Sequence, residues 1–311
     1  MGSISLKIIY KNDNYDFVKP INFRFVRERY TPFTQLSGSA VFSGEIIDIK
    51  TIELYFNDTL LHSGMPDNVT RKFSGGRYIL SFLSRGYTML LGQNEPKPGI
   101  RNDISLGSII SENTNIPKVS WQGVSDVVNY IYVKEKSTIW DAICAYACKA
   151  FGNYPYIKNS NSVYVTDSDA KQFTYDNEKI LSMGESVSSG NILSEVYMKD
   201  VGDDDNTYSF SQSNSLTNDM DIVRVKYYPL DKQWLSDTDK GLKAKLDYSS
   251  RHIVSRFITY EGFREENLCD RASFSNSDGD FLVDEKISKV ELSGSRKGII
   301  TKITVYRDGL L

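Results

Sequence analysis

The stretch TIELYFNDTLLHSGMPDNVTRKFSGGRYILSFLSRGYTMLLGQ, residues 51–93, decides the fold of this chain. Apolar and polar residues alternate over 52–57 and again over 78–82. This period of two is typical of strands that bury one face, so both segments are predicted as core strands. The side chains predicted to fill that core are Ile52, Leu54, Phe56, Tyr78, Leu80 and Phe82.

Turn-forming residues divide the same stretch. Two short extended runs, 60–62 and 69–73, are predicted as separate strands because a glycine and Pro66 lie between them. Gly75 and Gly76 supply the positive φ that a tight turn needs before the last strand. The stretch therefore predicts a β-meander, and it contains no pattern typical of a catalytic site.

Length and composition narrow the class of protein. A chain of 311 residues exceeds what one hydrophobic core usually fills, so more than one domain is predicted. The 20 Tyr and 15 Phe favour strands. A net charge of −3 gives no basic surface for specific nucleic-acid binding. No membrane span or secretory signal is recognisable, so we expect no membrane anchoring and synthesis in the cytoplasm.

The order of these patterns predicts three domains. Residues 1–99 are strands with short turns between them, which is typical of an antiparallel barrel or sandwich. Residues 100–168 form a small α/β module, and β-character returns over 169–311, where one helix interrupts the strands. The predicted fold class is mainly β, within α+β: two antiparallel β-barrels or sandwiches with a small α/β module between them.

Two helices have clear signals. The segment 138–151 begins with Thr138 and Asp141 at the spacing of a capping box and ends at Gly152. A later helix begins after Ser236 or Asp237. The face that this later helix is predicted to pack on the sheet carries Leu242, Leu246, Ile253 and Phe257.

Candidate metal sites are weak. The run NSDGD at 276–280, with Glu285, places Gly and Glu at the sixth and twelfth positions of a calcium loop. Phe274 and Leu282 occupy the first and ninth positions, where ligands belong, so a surface turn is the better interpretation. The acidic run 203–205 is predicted to be solvated, because no second cluster converges on it.

Cysteine and histidine usage gives no strong site either. Three cysteines in a chain of this length predict reduced thiols rather than a disulfide framework. Cys144 and Cys148 share a helix face, but His62 and His252 lie far away in sequence, so small buried thiols are the better interpretation. No G-x-S-x-G motif or favoured carboxylate pair occurs. We therefore predict no enzyme, no catalytic residue, no cofactor and no metal.

These residues resemble a known family. The segments ELYFNDTLLHSG and SGGRYILSFLSRGYTMLLGQNE resemble the central baseplate hub proteins of contractile phage tails and of phage-tail-like particles such as R-type bacteriocins. The segment STIWDAICAYACKAFGNYPYIKNSNSVYVT resembles a LysM-type fold. The likeness follows most of the chain in order and rests on apolar and turn positions.

The resemblance implies a structural role. It implies a homotrimer in which each chain contributes two tube-like barrels, so that six similar domains form a ring. Such a trimer would adapt the hexameric tail tube, or its initiator protein, to the trimeric central spike, within the baseplate assembled in the host cytoplasm. Wedge proteins and the tape measure protein are further expected partners. Arg85 is then expected to position or contact other groups rather than to catalyse.

Other interpretations remain open at this point. A cell-wall glycan-binding protein would stack sugars on Trp121, Trp140 and surface tyrosines. A glycosidase is a third hypothesis. If a ring forms, its inner wall is predicted to be neutral or acidic so that passing DNA does not adhere. The sequence does not distinguish a phage virion from a DNA-free bacteriocin particle.

Overall fold

The computed structural model describes residues 2–113, 115–277, 279–295 and 297–306. The strands of the first part are β1 Ile4–Tyr10, β2 Tyr15–Val18, β3 Pro20–Glu28, β4 Gln35–Val41, β5 Ile49–Phe56, β6 Thr59–Ser74 and β7 Arg77–Gly86. A 3-10 turn over Tyr87–Gly92 follows. The middle part contains β8 Gly99–Ile104, α1 Leu106–Asn113, β9 Ser120–Trp121, β10 Val128–Val133, α2 Ile139–Phe151, β11 Tyr156–Lys158 and β12 Ser162–Tyr164.

The last part returns to strands. It contains β13 Gln172–Thr174, β14 Ile180–Val187, β15 Glu195–Met198, β16 Phe210–Ser213, β17 Val225–Tyr228, α3 Thr238–Ser250, β18 Val254–Glu261, β19 Arg271–Asn276, β20 Gly279–Ser295 and β21 Gly298–Tyr306. A second 3-10 turn spans Ser215–Met220. The mainly β, α+β class predicted from the sequence is confirmed.

One large sheet joins the two β-rich parts. Its strand order is β14-β18-β21-β20-β3-β4-β7-β6-β5-β1-β2, and β19 and β13 extend it from β20 to give 13 strands. The antiparallel pair of β3 and β20 connects the parts, and Phe25 lies opposite Leu292 in that pair. The division into domains at residues 99 and 168 stays a prediction.

A single core lies under this sheet. It contains buried side chains from both β-rich parts, among them Leu6, Phe25, Leu36, Leu54, Leu80, Ile258, Val290 and Val305. Aromatic contacts cross between the parts, as where the rings of Phe56 and Phe263 meet edge to face at 5.2 Å. Because burying one such side chain contributes about 1.5–3 kcal/mol, this shared core holds the two parts together.

The long strand β6 corrects one prediction. The two short strands expected around Pro66 are one continuous strand, whose register shifts between Pro66 and Asn68. Proline cannot donate to a ladder, and the register shift accommodates it within the strand. The first half of β6 pairs with β5 and its second half with β7.

The hairpin tip after β6 confirms one prediction and corrects another. Gly75 and Gly76 have φ values of 57° and 76°, as their predicted turn role requires. Tyr78 was predicted to lie in the core but is 45% exposed. Its ring packs instead against Phe73, at a centroid distance of 5.2 Å, because the hairpin extends beyond the core. The other five predicted core residues are buried.

The middle part has its own core. Leu91, from the 3-10 turn that follows β7, packs with Ile109, Ile143 and Val163 in this second cluster. The predicted capping box of α2 is present: the Thr138 hydroxyl accepts from the Asp141 amide at 3.1 Å, and the Asp141 carboxylate accepts from the Thr138 amide at 2.8 Å. Gly152 ends the helix with φ 62°.

Loss of this cap gives a first testable prediction. Replacing Thr138 with alanine removes the acceptor for one of the otherwise unpaired amides at the start of α2. We expect the free energy of unfolding to fall by about 1 kcal/mol, measured by urea denaturation. Thr138→Ser keeps the hydroxyl and should cost less than half as much. Equal losses for both variants would contradict the capping role.

The helix α3 differs from its predicted form. Asp237 caps it, as predicted, but it ends at Ser250, so Ile253 and Phe257 do not belong to its packing face. Phe257 lies on β18. Leu242 and Leu246 pack against Val196 and other side chains of the separate three-stranded sheet β16-β15-β17. The four-residue spacing continued by coincidence into the next strand.

The segment that resembled a calcium loop is a strand connection. Asn276 on β19 pairs with Gly279 on β20, and Phe274 is buried in the main core. Asp278 lies outside the described residues. The described part of this segment is thus the turn between strands that the sequence favoured.

Candidate assembly interface

The main sheet has two long open edges. The strand β14 pairs only with β18, and the second half of β6, residues 65–74, pairs only with β7. Neither edge has a further strand partner within the described ranges. An unpaired edge presents a row of main-chain donors and acceptors, which is a template for pairing with another chain.

These two edges run in opposite directions. From β6 to β14 the sheet passes through β7, β4, β3, β20, β21 and β18, and each of the seven neighbouring pairs is antiparallel. An odd number of antiparallel steps leaves the first and last strands antiparallel to each other. The β14 edge of one copy can therefore add to the β6 edge of another copy by ordinary antiparallel pairing.

Apolar side chains lie on the core side of both edges. Met183 on β14 lies opposite the buried Ile258 and is itself exposed. On β6, Val69 lies opposite the buried Phe82, and Phe73, two pleats further along the same face, is 66% exposed. Each edge thus leaves part of the core layer uncovered on the same side of the sheet. Pairing of the two edges would cover the exposed apolar side chains of both β14 and β6.

The other face of the sheet is polar and carries paired charges. Ser37, Arg24 and Ser293 lie opposite one another on β4, β3 and β20. The guanidinium of Arg24 forms an ion pair with Glu291, and the Lys289 ammonium lies 3.6 Å from the same carboxylate. The Lys289 ammonium also lies 3.9 Å from the Glu28 carboxylate, so hydroxyl groups, two cations and two carboxylates lie together on this face.

Arg85 has a positioning role inside the chain. Its Nε donates to Asp67 Oδ2 at 2.5 Å and its Nη2 to Asp67 Oδ1 at 3.0 Å. Its guanidinium also lies 5.3 Å from the centre of the Phe33 ring. A two-point Arg–carboxylate contact fixes geometry as well as charge. It holds Asp67 at the point where the register of β6 shifts, next to the open edge.

The residues considered for metal chemistry stay apart. Cys144 and Cys148 lie on α2, and burial raises the pKa of both thiols, that of Cys148 to about 12. His62 lies in the main sheet and His252 beside the ring of Tyr306. Within the described ranges, no group of three or more His, Cys, Asp or Glu side chains is placed to hold a metal ion.

The acidic run has local partners. Asp203 accepts from the Ser209 hydroxyl, and also from the amides of Asp200 and Ser209 at 2.8 and 2.9 Å. Asp204 accepts from the Asn206 amide at 3.0 Å and the Thr207 hydroxyl at 2.7 Å. These contacts hold the pKa of both carboxyls below the usual range. The run shapes its own turn.

The tryptophans proposed as a sugar platform are not equivalent. Trp140 is only 8% exposed and packs in the core of the middle part, so its ring face is not available to a ligand. Trp121 is exposed on the short strand β9. Trp140 is buried because it lies on the apolar stripe of α2. Since only the Trp121 ring is exposed, the two rings do not form one surface.

A buried histidine was missed as a structural residue. The ring of His62 is inaccessible; its Nδ1 lies 2.8 Å from the Thr34 hydroxyl and its Nε2 lies 2.9 Å from the Ser84 hydroxyl. Burial lowers its pKa to about 3. The signal in the sequence was the extended run 60–62, which predicts a strand but does not identify the partners of a polar side chain.

The open edges were also missed by the sequence analysis. The β14 sequence, ILSMGESV, has two adjacent apolar residues at its start and a glutamate between Met183 and Val187, so apolar and polar residues do not alternate regularly. Residues 180–187 were not predicted as a strand, and no local pattern indicated a sheet edge there. In the described part of the chain, no helix has the length and apolar character needed to cross a membrane.

No protein-family model and no curated protein matches this sequence. Among solved structures, the chain is similar to a tail protein from Neisseria meningitidis MC58, with a TM-score of 0.75 and 13% identity, covering 99% of this chain and 98% of that one. It is also similar to the 43 kDa tail protein of prophage MuSo2 from Shewanella oneidensis, with a TM-score of 0.71 and 12% identity, covering 98% and 97%.

A third similar structure comes from a secretion system. It is an Escherichia coli protein described as a component of the type VI secretion system with structural similarity to the T4 bacteriophage tail proteins gp27 and gp5. Its TM-score is 0.51 at 8% identity, and the match covers 92% of this chain and 73% of that one. The chain therefore has the fold of these phage tail proteins, as its resemblance to baseplate hub proteins predicted.

Proposed function

We propose that this protein is the structural hub of a contractile-tail baseplate, a homotrimer that joins the hexameric tail tube, or its initiator, to the trimeric central spike. The observation that carries the proposal is the pair of open, antiparallel edges on β14 and β6. They allow each copy to pair with two neighbours, which is what a closed ring of identical subunits requires.

The number of copies, three, is the one that the resemblance to baseplate hub proteins implies. The sheet from β6 to β14 contains eight strands, four from each β-rich part of the chain, so three copies of eight make a ring of 24. Each copy contributes two similar four-strand units, and three copies contribute six. A trimer built in this way has approximate six-fold symmetry towards the tube and true three-fold symmetry towards the spike.

In such a ring, the polar face of the sheet would line the central passage. Hydroxyl groups such as Ser37 and Ser293 bind phosphate weakly, and Arg24 is paired with Glu291. The arrangement supports the expectation that DNA passes without adhering. Wedge and tape measure proteins are proposed as further partners, within a baseplate assembled in the host cytoplasm. A catalytic role is not proposed, and cell-wall substrate should not be turned over.

The oligomeric state in solution tests the proposal. We expect a mass of about 106 kDa, three times the chain mass of 35.3 kDa, by light scattering at micromolar concentration. Met183→Lys places a charge on the apolar side of the β14 edge, where pairing would bury it. Because an unpaired buried charge costs several kcal/mol, the variant should be monomeric and folded.

Matched controls separate the edge from other surfaces. Val127→Lys changes an exposed apolar residue just before β10 in the middle part of the chain, outside both edge strands, and should leave the trimer intact. The trimer, but not Met183→Lys, should retain purified spike and tube proteins. A wild-type protein that stays monomeric and fails to bind either component would refute the hub function. Sequencing the neighbouring genes would separate a phage from a bacteriocin particle.

A further inference from the structure

A cleft of about 400 Å³ lies between α2 of the middle part and the unit formed by α3 and the sheet β16-β15-β17. Small side chains, among them Ala145 on α2 and Ala244 on α3, leave the space between the facing helices open. One stretch of the wall is aromatic: the rings of Tyr154 and Tyr248 lie 5.3 Å apart, and the Tyr154 hydroxyl donates to the Ala244 carbonyl at 3.2 Å. Tyr248 is 41% exposed, so this aromatic wall is open to solvent.

The end of β21 is fixed beside the aromatic wall. Tyr306, the last described residue, donates from its amide to Ser288 Oγ at 3.1 Å and from its hydroxyl to Glu28 Oε1 at 2.7 Å. Its ring stacks on that of Tyr30 at 6.4 Å, and the Tyr30 ring meets the Tyr248 ring edge to face at 6.1 Å. A single ring therefore separates the end of β21 from the wall of the cleft.

The direction of β21 points towards this wall. The strand pairs antiparallel with β18, and Tyr306 lies opposite Ser255, near the start of β18. At Tyr306 the strand is therefore directed towards the end of α3, at Ser250. Residues 307–311, RDGLL, lie outside the described residues. Five residues span up to about 17 Å, which is enough to reach the last two turns of α3.

A cation at the same place lacks a partner. The Arg251 guanidinium lies 3.6 Å from the centre of the Tyr248 ring, and its Nη1 donates to the Tyr248 carbonyl at 2.5 Å. Its Nε is buried and has no hydrogen-bond acceptor within the described ranges. Such a donor is costly to leave unpaired, and a carboxylate that binds it in two-point geometry removes the cost. Asp308, two positions after Tyr306, carries a carboxylate.

We propose that the cleft is covered by residues 307–311 of the same chain. Asp308 pairs with Arg251, and Leu310 and Leu311 pack on the aromatic wall and the small side chains between the helices. Burial in the cleft removes both leucines from water, which favours docking. The short connection to a fixed strand end keeps the effective concentration of the segment in the millimolar range or above. The inference concerns a surface outside the open sheet edges and is independent of the hub function.

The rate of cysteine alkylation measures access to the cleft. Cys144 lines the cleft, whereas Cys269 is buried elsewhere and serves as the internal control. The protein is treated with iodoacetamide under native conditions, and both sites are followed by mass spectrometry. Deletion of residues 307–311 should speed alkylation of Cys144 about 10-fold and leave that of Cys269 unchanged.

Substitutions separate the two contacts. Leu310→Asp combined with Leu311→Asp should speed alkylation as the deletion does, because charged side chains are not buried there. Ile47→Asp adds a charge at an exposed apolar position of the first part and should react like the wild type. Arg251→Gln and Asp308→Asn should each speed alkylation, and the double variant should react no faster than either, because both remove the same pair.

An added peptide and a monomeric variant complete the test. The acetylated peptide RDGLL at millimolar concentration should restore slow alkylation of Cys144 in the deletion variant, whereas RDGSS should not. Unchanged alkylation of Cys144 after the deletion would overturn the proposal, as would an equal increase at Cys269, which indicates general loosening. Protection should persist in Met183→Lys. Its loss there would overturn the proposal in favour of a neighbouring copy's cleft, and a failure of the hub function alone would leave the protection intact.

Discussion

Replacing Glu266 with alanine is expected to lower the free energy of unfolding by about 3–5 kcal/mol, since it leaves buried polar groups without their charged partner. The Glu266 carboxylate is inaccessible to solvent and accepts from the hydroxyls of Tyr175, at 2.9 Å, and of Tyr260. Arg27 on β3 is 2% exposed, and burial lowers its pKa to about 10 although the charges of Asp270 and Glu266 oppose that shift.

The predicted loss has a structural meaning. Arg27 belongs to the first β-rich part, whereas Glu266, Tyr175 and Tyr260 belong to the last. The attraction between the Arg27 guanidinium and the Glu266 carboxylate therefore crosses the junction that the β3–β20 pair creates. Destabilising this junction should loosen both parts together, so a single cooperative transition is expected to shift to lower denaturant.

Urea denaturation of the purified variants measures the effect. Glu266→Gln keeps an oxygen that accepts from the tyrosines but loses the charge, so its stability should lie between those of the wild type and the alanine variant. Glu265→Gln, at the neighbouring position, should change stability by less than about 0.5 kcal/mol, as surface substitutions usually do. A loss below about 1 kcal/mol for Glu266→Ala would show that the network contributes little.

The second large effect is a loss of stability in acid caused by His62. The folded protein keeps the ring neutral because burial lowers its pKa from 6.5 to about 3. The unfolded chain takes up a proton below about pH 6.5, so it binds more protons than the folded chain over this interval. The free energy of unfolding is therefore unaffected by His62 above about pH 6.5. Below that pH, titration of His62 lowers the free energy of unfolding by up to about 1.4 kcal/mol for each pH unit.

Comparison with His62→Gln isolates this contribution. Glutamine does not titrate but can still bond to the hydroxyls of Thr34 and Ser84. The variant should be less stable than the wild type at pH 7.5, and its stability should change less between pH 6.5 and 5. Restricting the measurement to that interval limits the contribution of carboxyl groups. Identical pH slopes for the two proteins would exclude His62 as the source.

The sequence was most informative where local chemistry is sufficient. Gly75 and Gly76 were correctly predicted as turn residues, and Thr138 was correctly predicted to begin a capped helix. Each of these predictions depends on a few neighbouring residues. Tyr78 was misplaced because the β6–β7 hairpin extends beyond the core, and Phe257 was misplaced because the spacing of α3 continued into β18.

The candidate assembly interface was beyond the reach of the sequence analysis. Met183 and Phe73 belong to strands whose local sequences do not indicate an edge, and only the sheet order shows that both strands lie at open edges. The hydrogen bond from the Tyr132 amide to Gln233 was equally unpredictable, because the two residues lie 101 positions apart and no local pattern connects them.

By itself, the sequence determined the mainly β class, the turns, the capped helix and the resemblance to phage tail hubs. Only the tertiary structure decided that β3 pairs with β20, which makes one sheet of the two β-rich parts and places open edges at β6 and β14. The physical reason is that alternation records which side of a strand is buried. The choice of partner strand depends on contacts between residues far apart in the chain, which local periodicity does not encode.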